Sequence, residues 1–323
     1  MSSPARYRRI LVASDYSEPS LAAIRHASAW ARAFGADLEL VHAFLPSHYA
    51  KQILPHASDL RGKLEQAAHD ELLALRNRCA PDHEQAVLTA VEAEHPATAI
   101  CQRAEASEAD LVVVGTHGRT GIARMLIGSV AEGVARHAPC DVLTVPATVL
   151  PGGGGPKSEE DASRSATGRT TASPPRRVIA STDFSSTARR GLDAAHQLAR
   201  QLETETVVAH FVDDSVPALS VGAFPLEDLT ERKRHAWDAL SSLRAERFGD
   251  GADVATWVDV SSSPADALVR LATEREADLI VLSTHGRTGL ASLLIGSVAE
   301  RVIRHADCPV LAVRGRKGKE QDD

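Results

Sequence analysis

The residues whose types and spacing suit chemistry lie in one stretch, Leu111-Val-Val-Val-Gly115-Thr-His117-Gly118-Arg119-Thr-Gly121, followed by Leu126-Ile-Gly128-Ser129-Val130. Three closely spaced glycines allow positive φ and a close approach of the backbone to a ligand. Gly128-Ser129 opens the run Val130–Arg136, which has helical spacing and a serine suited to the N-cap. A helix N-terminus behind a glycine loop offers unpaired N–H groups and the positive end of a dipole. An anionic phosphate needs both.

The stretch recurs. Ser283-Thr-His285-Gly286-Arg287-Thr-Gly289 leads to Leu294-Ile-Gly296-Ser297-Val298. Asp15 and Asp183, His42 and His210, Pro96 and Pro264, and Cys140 and Cys308 share the same separation of 168 positions. That offset is far above solenoid periods, so each unit is a full domain. The expected limits are 1–148 and 176–314, with a linker over 149–175 and a charged tail over 315–323. The linker, from Pro151-Gly-Gly-Gly-Gly-Pro156 to Pro174-Pro175, has the aperiodic Pro, Gly and Ser composition of a flexible connector. Its superficial likeness to a Walker A loop fails, because prolines stand where glycines are needed and no strand and helix flank it.

The elements that must position these residues follow from periodicity. Ile10–Ala13 reads as a strand ending at Asp15, and Leu21, Ile24, Ala27, Ala31 and Phe34 form a helix stripe closed by Gly35. Strands are expected at Leu38–Ala43, near Ala86–Val91, at Leu111–Gly115 and at Val142–Val145. Helices are expected through Leu60–Leu75 and from Pro96. The second unit repeats the series, with strands at Val178–Asp183, Val207–Phe211 and Val310–Val313 and a helix entered at Ser263-Pro264. Strands alternating with helices imply a parallel sheet with right-handed crossovers. Each half is therefore expected to be a doubly wound, Rossmann-like α/β domain.

In such sheets ligands bind beyond the carboxyl ends of the strands, where the strand order reverses. If the first and fourth strands are neighbours, Asp15 and the Gly115–Gly118 loop flank one crevice. A carboxylate beside ribose or base, with glycines beside phosphate, suits a nucleotide. A plainer reading stands beside this one, in which tight turns and helix packing demand the glycines and Asp15 and Asp183 cap helices. His117 and His285 have no carboxylate or nucleophile near them in sequence, so loop shaping or a phosphate hydrogen bond suits them better than catalysis. His42 and His210 end apolar strands and read as core histidines with satisfied hydrogen bonds. Arg119 and Arg287 suit a phosphate clamp and a solvated surface equally.

Asp15, Gly115-x-x-Gly118, nine residues and Gly128-Ser129, after the strand Asp110-Leu-Val-Val-Val, resemble the ATP-binding signature of the universal stress protein family, G-x2-G-x9-G-[ST]. Ala138-Pro-Cys140 before Val142–Val145 resembles that family's closing strand. The resemblance covers both halves and implies the strand order 3-2-1-4-5, dimerisation through the last strand, and ATP in some members. Carried over by position, Gly115, Gly118, Gly128 and Ser129 face phosphates and ribose. Asp15 and Ala43 face adenosine, and Val130 lines the same site. The second set is Asp183, Phe211, Gly286, Gly296, Ser297 and Val298. Ser283 breaks the pattern by replacing a glycine, and Ser292 stands where the first half has Arg124. These differences predict a weaker second site.

The resemblance thus implies an ATP-binding protein, with Mg2+ as the companion ion of the nucleotide. Its role is regulatory or protective, and occupancy acts as a switch. The alternative is a nucleotide-independent interaction protein on the same fold. No general base is identifiable, so hydrolysis is expected to be slow at most. Neither a G-x-S-x-G elbow nor the S-G-G-x-D-S or H-I-G-H motif of nucleotide-transferring enzymes occurs.

At 323 residues the chain is long enough for two cores, and 43% hydrophobic content fits a globular protein. A net charge of −7 argues against a nucleic-acid partner. No apolar run approaches the ~20 residues of a membrane span, and Met-Ser-Ser-Pro-Ala-Arg lacks a signal-peptide core, so a cytoplasmic location is expected. The four cysteines form no C-x-x-C pair, and His83 and His95 have no metal-ligand spacing. Val142–Val145 and Val310–Val313 are apolar strands that need partners if they are sheet edges. Pairing of the two halves as a pseudo-dimer answers that need most simply, and a homodimer is the alternative. An unidentified protein partner completes the expectation.

Overall fold

The computed structural model describes residues 6–44, 60–116, 127–146, 172–214, 229–249, 253–284 and 295–314. The chain divides between Pro174 and Pro175 into two compact units.

The first unit holds β1 (Arg9–Ala13), α1 (Glu18–Phe34), β2 (Asp37–Phe44), α2 (Leu60–Cys79), β3 (Val87–Glu92), α3 (Pro96–Ala106), β4 (Leu111–Gly115), α4 (Ser129–His137) and β5 (Asp141–Val145). Its strands lie in the order β3-β2-β1-β4-β5, all parallel. The second unit holds β6 (Arg177–Ser181), α5 (Ser186–Leu202), β7 (Glu205–Val212), α6 (Leu229–Phe248), β8 (Val254–Val260), α7 (Pro264–Glu274), β9 (Leu279–Ser283), α8 (Ser297–His305) and β10 (Val310–Val313). Its order is β8-β7-β6-β9-β10, again parallel. Each unit is thus a doubly wound α/β fold with the order 3-2-1-4-5, as expected. Among the described residues no helix is long and apolar enough to cross a membrane.

The core follows from the sequence pattern. Leu11, Val12 and Leu111–Val113 are fully buried, as continuous apolar runs in a sheet covered on both faces should be. On α1, Leu21, Ile24, Ala27, Ala31 and Phe34 are all buried, and Gly35 ends the helix in the left-handed region at φ 62°. Cys79, Cys140 and Cys308 are buried thiols, and Cys101 is partly covered.

Aspartates at the amino ends of β4 and β9 tie the sheets together in the same way. Asp110 accepts from the amides of Arg8 and Arg9 at 2.8 and 3.1 Å. Asp278 accepts from Arg176 and Arg177 at 3.1 and 3.0 Å. The first unit adds a buried polar cluster of its own. Arg6 Nη2 lies 2.6 Å from Asp141 Oδ2, and the Tyr7 hydroxyl donates to the same oxygen at 3.1 Å. Burial and then the Asp141 charge raise the Tyr7 pKa, so the phenol stays protonated. Tyr7 also packs against Trp30 and Phe34.

Candidate functional site

In each unit the first strand lies between the second and the fourth. Ala13 pairs with Val41, and Val12 with Val113. Asp15 and Gly115 therefore leave the sheet at the carboxyl ends of adjacent strands, and Asp183 and Ser283 do the same in the second unit.

Both aspartates shape the turn they stand in. Asp15 Oδ1 accepts from the amide and the hydroxyl of Ser17, and Asp183 Oδ1 accepts from the Ser185 amide at 3.0 Å. The helix caps are Ser17 and Ser185, so each aspartate serves the turn before its helix without being the cap itself.

The next residue in each turn is an aromatic with a left-handed backbone: Tyr16 at φ 66° and Phe184 at φ 65°. Such a conformation costs a bulky L-residue about 1–2 kcal/mol, so packing must hold it. Tyr16 lies over the ring of His42 with centroids 4.1 Å apart, and Phe184 over His210 at 4.3 Å. His42 Nδ1 meets the Ser14 carbonyl oxygen at 2.7 Å, and His210 Nδ1 that of Thr182 at 2.8 Å. The two histidines are therefore buried and bonded within the fold, as their sequence context implied. The aromatic covers were not anticipated. An aromatic directly after each aspartate, repeated at the same offset, was the signal for them.

Beyond β4, Thr116 takes a bond from the last strand, its amide donating to Val145 O at 2.9 Å. The Gly128 amide donates back to Thr116 O at 2.7 Å, closing the ends of the glycine loop onto each other. Thr284 and Gly296 repeat this at 3.2 and 2.7 Å with Val313 and Thr284. His117, Gly118 and Arg119, like His285, Gly286 and Arg287, lie outside the described residues.

Gly128 and Gly296 are the N-caps of α4 and α8, and neither helix has a side-chain cap bond. This corrects the expectation that serine caps the helix, since Ser129 and Ser297 stand at its first turn. A glycine cap brings no side-chain oxygen to the first-turn N–H groups, which suits an external anion.

Gly115 has a further reason to be glycine. A Cβ there would stand 2.9 Å from the Pro19 carbonyl oxygen, so the close approach of α1 forbids a side chain. In the second unit Ser283 carries a side chain at this position, and glycine appears on the facing helix instead. A Cβ on Gly191 would lie 3.4 Å from the Ser283 amide, in ordinary contact. The plainer reading thus accounts for Gly115, whereas the space around Gly191 would admit a Cβ.

The second crevice is a cavity of about 760 Å³. Asp183, Phe211, Gly296, Ser297 and Val298 all line it, together with Phe184, His210 and Ser283. From α6 it gains Arg232 and His235, which the sequence reading missed. Both sit in the run Arg232-Lys-Arg-His235, which resembles any solvated helix face. In the first unit, Asp15, Ala43, Gly115, Gly128, Ser129 and Val130 occupy the corresponding strand ends and helix start. Among the described residues no group of three His, Cys, Asp or Glu side chains could hold a metal ion.

The family model for universal stress proteins matches the chain twice, over residues 6–146 and 175–314. A universal stress protein of Mycobacterium tuberculosis is 30% identical over 327 aligned residues, covering 97% of this chain and 99% of that protein. One from Mycolicibacterium smegmatis is 26% identical, covering 95% and 97%. One from Methanocaldococcus jannaschii is 33% identical over 144 residues, 44% of this chain and 84% of that protein. Among solved structures, a functionally unknown protein of Pseudomonas aeruginosa superposes with a TM-score of 0.60 at 17% identity, covering 97% and 95% of the two chains. A universal stress protein of Archaeoglobus fulgidus gives 0.57 at 18%, covering 95% and 96%. At these identities the superpositions speak to the fold alone. The repeated family match, over units of the same fold, carries the assignment: the chain belongs to the universal stress protein family, in tandem form.

Proposed function

We propose that each crevice binds an adenine nucleotide, ATP in the working form, and that occupancy switches a regulatory or protective stress response. One observation supports this best. Five residues assigned to the second site from sequence line a single cavity that ends at a glycine-capped helix N-terminus. That terminus suits a phosphate, and the cavity, at about 760 Å³, falls within the usual range of roughly 300–1,000 Å³ for small-molecule sites. A Mg2+ ion would arrive on the phosphates. A switch requires that nucleotide bind one state of the protein more tightly than another.

In this reading the domains span 1–148 and 176–314 and the protein works in the cytoplasm, its two halves paired or its chains dimerised. Sedimentation at several concentrations distinguishes those arrangements. Turnover is slow, since His42 and His210 are committed to main-chain carbonyls and covered by aromatic rings.

The alternative, a nucleotide-independent interaction protein, draws its support from Gly115, whose glycine the packing on Pro19 already requires. Mass spectrometry of small molecules carried through purification decides between the two, backed by titration with ATP. ATP, ADP or AMP at a substantial fraction of one per crevice is the expected result. Their absence, with no ATP binding in titration, would favour the interaction protein.

A further inference from the structure

The two crevices share a plan but differ on the helix that follows the second strand. α6 places Arg232 and His235 in the wall of the second cavity. At the same offset α2 carries Leu64 and Ala67, and the register is secured by the buried pairs Leu72/Leu240 and Leu75/Leu243. Arg232 Nη2 donates to the main-chain carbonyl of Asp213 at 2.7 Å, which tethers the guanidinium to the end of β7. That acceptor is a main-chain carbonyl, so this bond fixes the guanidinium without itself cancelling the charge, and Asp213 also lines the cavity. The first turn of α2 carries Arg61, which lies 3.0 Å from the Glu92 carboxylate, and the exposed Lys63, neither of them at the position of Arg232.

The strand order places β6 between β7 and β9. The end of β7, where Arg232 is tethered, is therefore two strand spacings, about 10 Å, from the end of β9, which α8 follows. The second cavity thus has two separated groups suited to an anion, with Asp183 and Phe184 in the turn after the strand between them and Asp213 also in its lining. A phosphate chain at the α8 N-terminus leaves the sugar and base directed towards β6 and β7. In dinucleotide-binding sheets, the group at the end of the second strand faces the ribose, and an arginine there accommodates a ribose phosphate.

We propose that the second crevice selects a nucleotide carrying an additional phosphate on its ribose, and that Arg232 is the specificity-determining residue. The first crevice, with Leu64 at that position, selects the plain nucleotide. This inference rests on the nucleotide reading above and assigns the two sites different ligands.

The test is calorimetric titration of the full chain carrying Gly128→Glu, which disables the first crevice, with AMP, adenosine 2′,5′-bisphosphate and adenosine 3′,5′-bisphosphate. A charge-assisted contact predicts that one bisphosphate binds about tenfold or more tightly than AMP. Adding Arg232→Leu should weaken that bisphosphate about tenfold and AMP much less, collapsing the ratio. Arg232→Lys should keep part of it. Equal affinities for AMP and both bisphosphates, or a preference that survives Arg232→Leu, would overturn the assignment and leave the nucleotide reading standing. If none of the three ligands nor ATP binds the folded protein, with or without Gly128→Glu, the nucleotide reading itself falls and takes this inference with it.

Discussion

The two units use the same main-chain bonds and different side-chain solutions. Asp110 and Asp278, His42 and His210, and the Thr–Gly loop closures repeat almost atom for atom. Around them the packing has diverged. The first unit brings α3 and α4 together over Gly133, where a Cβ would lie 2.6 Å from the Ala97 methyl. The second has Arg301 at that position, bridging to Asp266 through two bonds of 2.8 and 2.7 Å. Hydrogen bonds from Ser263 and Arg301 hold the Asp266 carboxyl below its ordinary range. The buried Arg6–Tyr7–Asp141 cluster gives way to Pro174, Pro175 and Pro309. The bonds that Asp110, Asp278, His42 and His210 make to the main chain persist, whereas packing contacts and ion pairs have been exchanged.

Breaking the shared feature should have the largest effect. Gly128→Glu places a carboxylate where the phosphate would sit, and Gly296→Glu does so in the second unit. Each is expected to lower ATP affinity at its own crevice more than about a hundredfold by repulsion and occlusion, leaving the other intact. Titration of the two single variants should show one surviving site in each case. The comparison of the surviving sites also tests whether the second is the weaker.

The features peculiar to one unit come next. Asp141→Ala removes the carboxylate that faces the buried Arg6 guanidinium and should destabilise the first unit by about 3–5 kcal/mol. Chemical denaturation followed by circular dichroism would read this as a lower midpoint, and the proline-containing second unit offers no equivalent site. Gly115→Ser imports the second unit's residue against the Pro19 carbonyl and should cost about 1–3 kcal/mol. Gly191→Ala, with only ordinary contacts to meet, should be neutral or stabilising by about 0.5–1 kcal/mol through helix propensity. If both changes have equal effects, the close approach of Pro19 is not what requires glycine at position 115.

The smallest effect concerns pH. His26 on α1 is buried, and burial lowers its pKa from 6.5, partly opposed by the hydrogen bond with Ala22 O at 3.0 Å. Above pH 6.5 both the folded and the unfolded forms hold it neutral. As pH falls below that value the unfolded chain takes the proton first, so stability declines until the folded pKa is reached. The loss is about 1.4 kcal/mol for each unit by which the pKa is depressed. The second unit has Ala194 at this position, so His26→Ala should flatten the fall in denaturation midpoint between pH 7 and 5.5.

Much of the fold was legible because it rests on local rules. Apolar runs of four or five residues marked the strands, the stripe from Leu21 to Phe34 marked α1, and Gly35 marked its end. α6 was harder to place, because its buried residues Leu240, Leu243 and Phe248 are scattered among charges. The candidate crevice was legible in outline, since Asp15 and Gly115 follow recognisable strands. Its walls were not, because Tyr16 and Arg232 act through rings and carbonyls far away or across a turn.

The sequence by itself determined the tandem repeat, the alternation of strands and helices, and the register of glycine, aspartate and helix start that marks each crevice. These depend on the period of burial and on backbone freedom, which are properties of short stretches. Only the tertiary structure decided why Gly115 must be glycine, where Tyr16 and Phe184 lie, and that Arg232 reaches the second cavity. Those facts depend on which atoms meet when strands and helices distant in the chain pack together. The glycine that sequence reasoning gave to a phosphate belongs first to the carbonyl of Pro19, and the cation it passed over lines the second cavity.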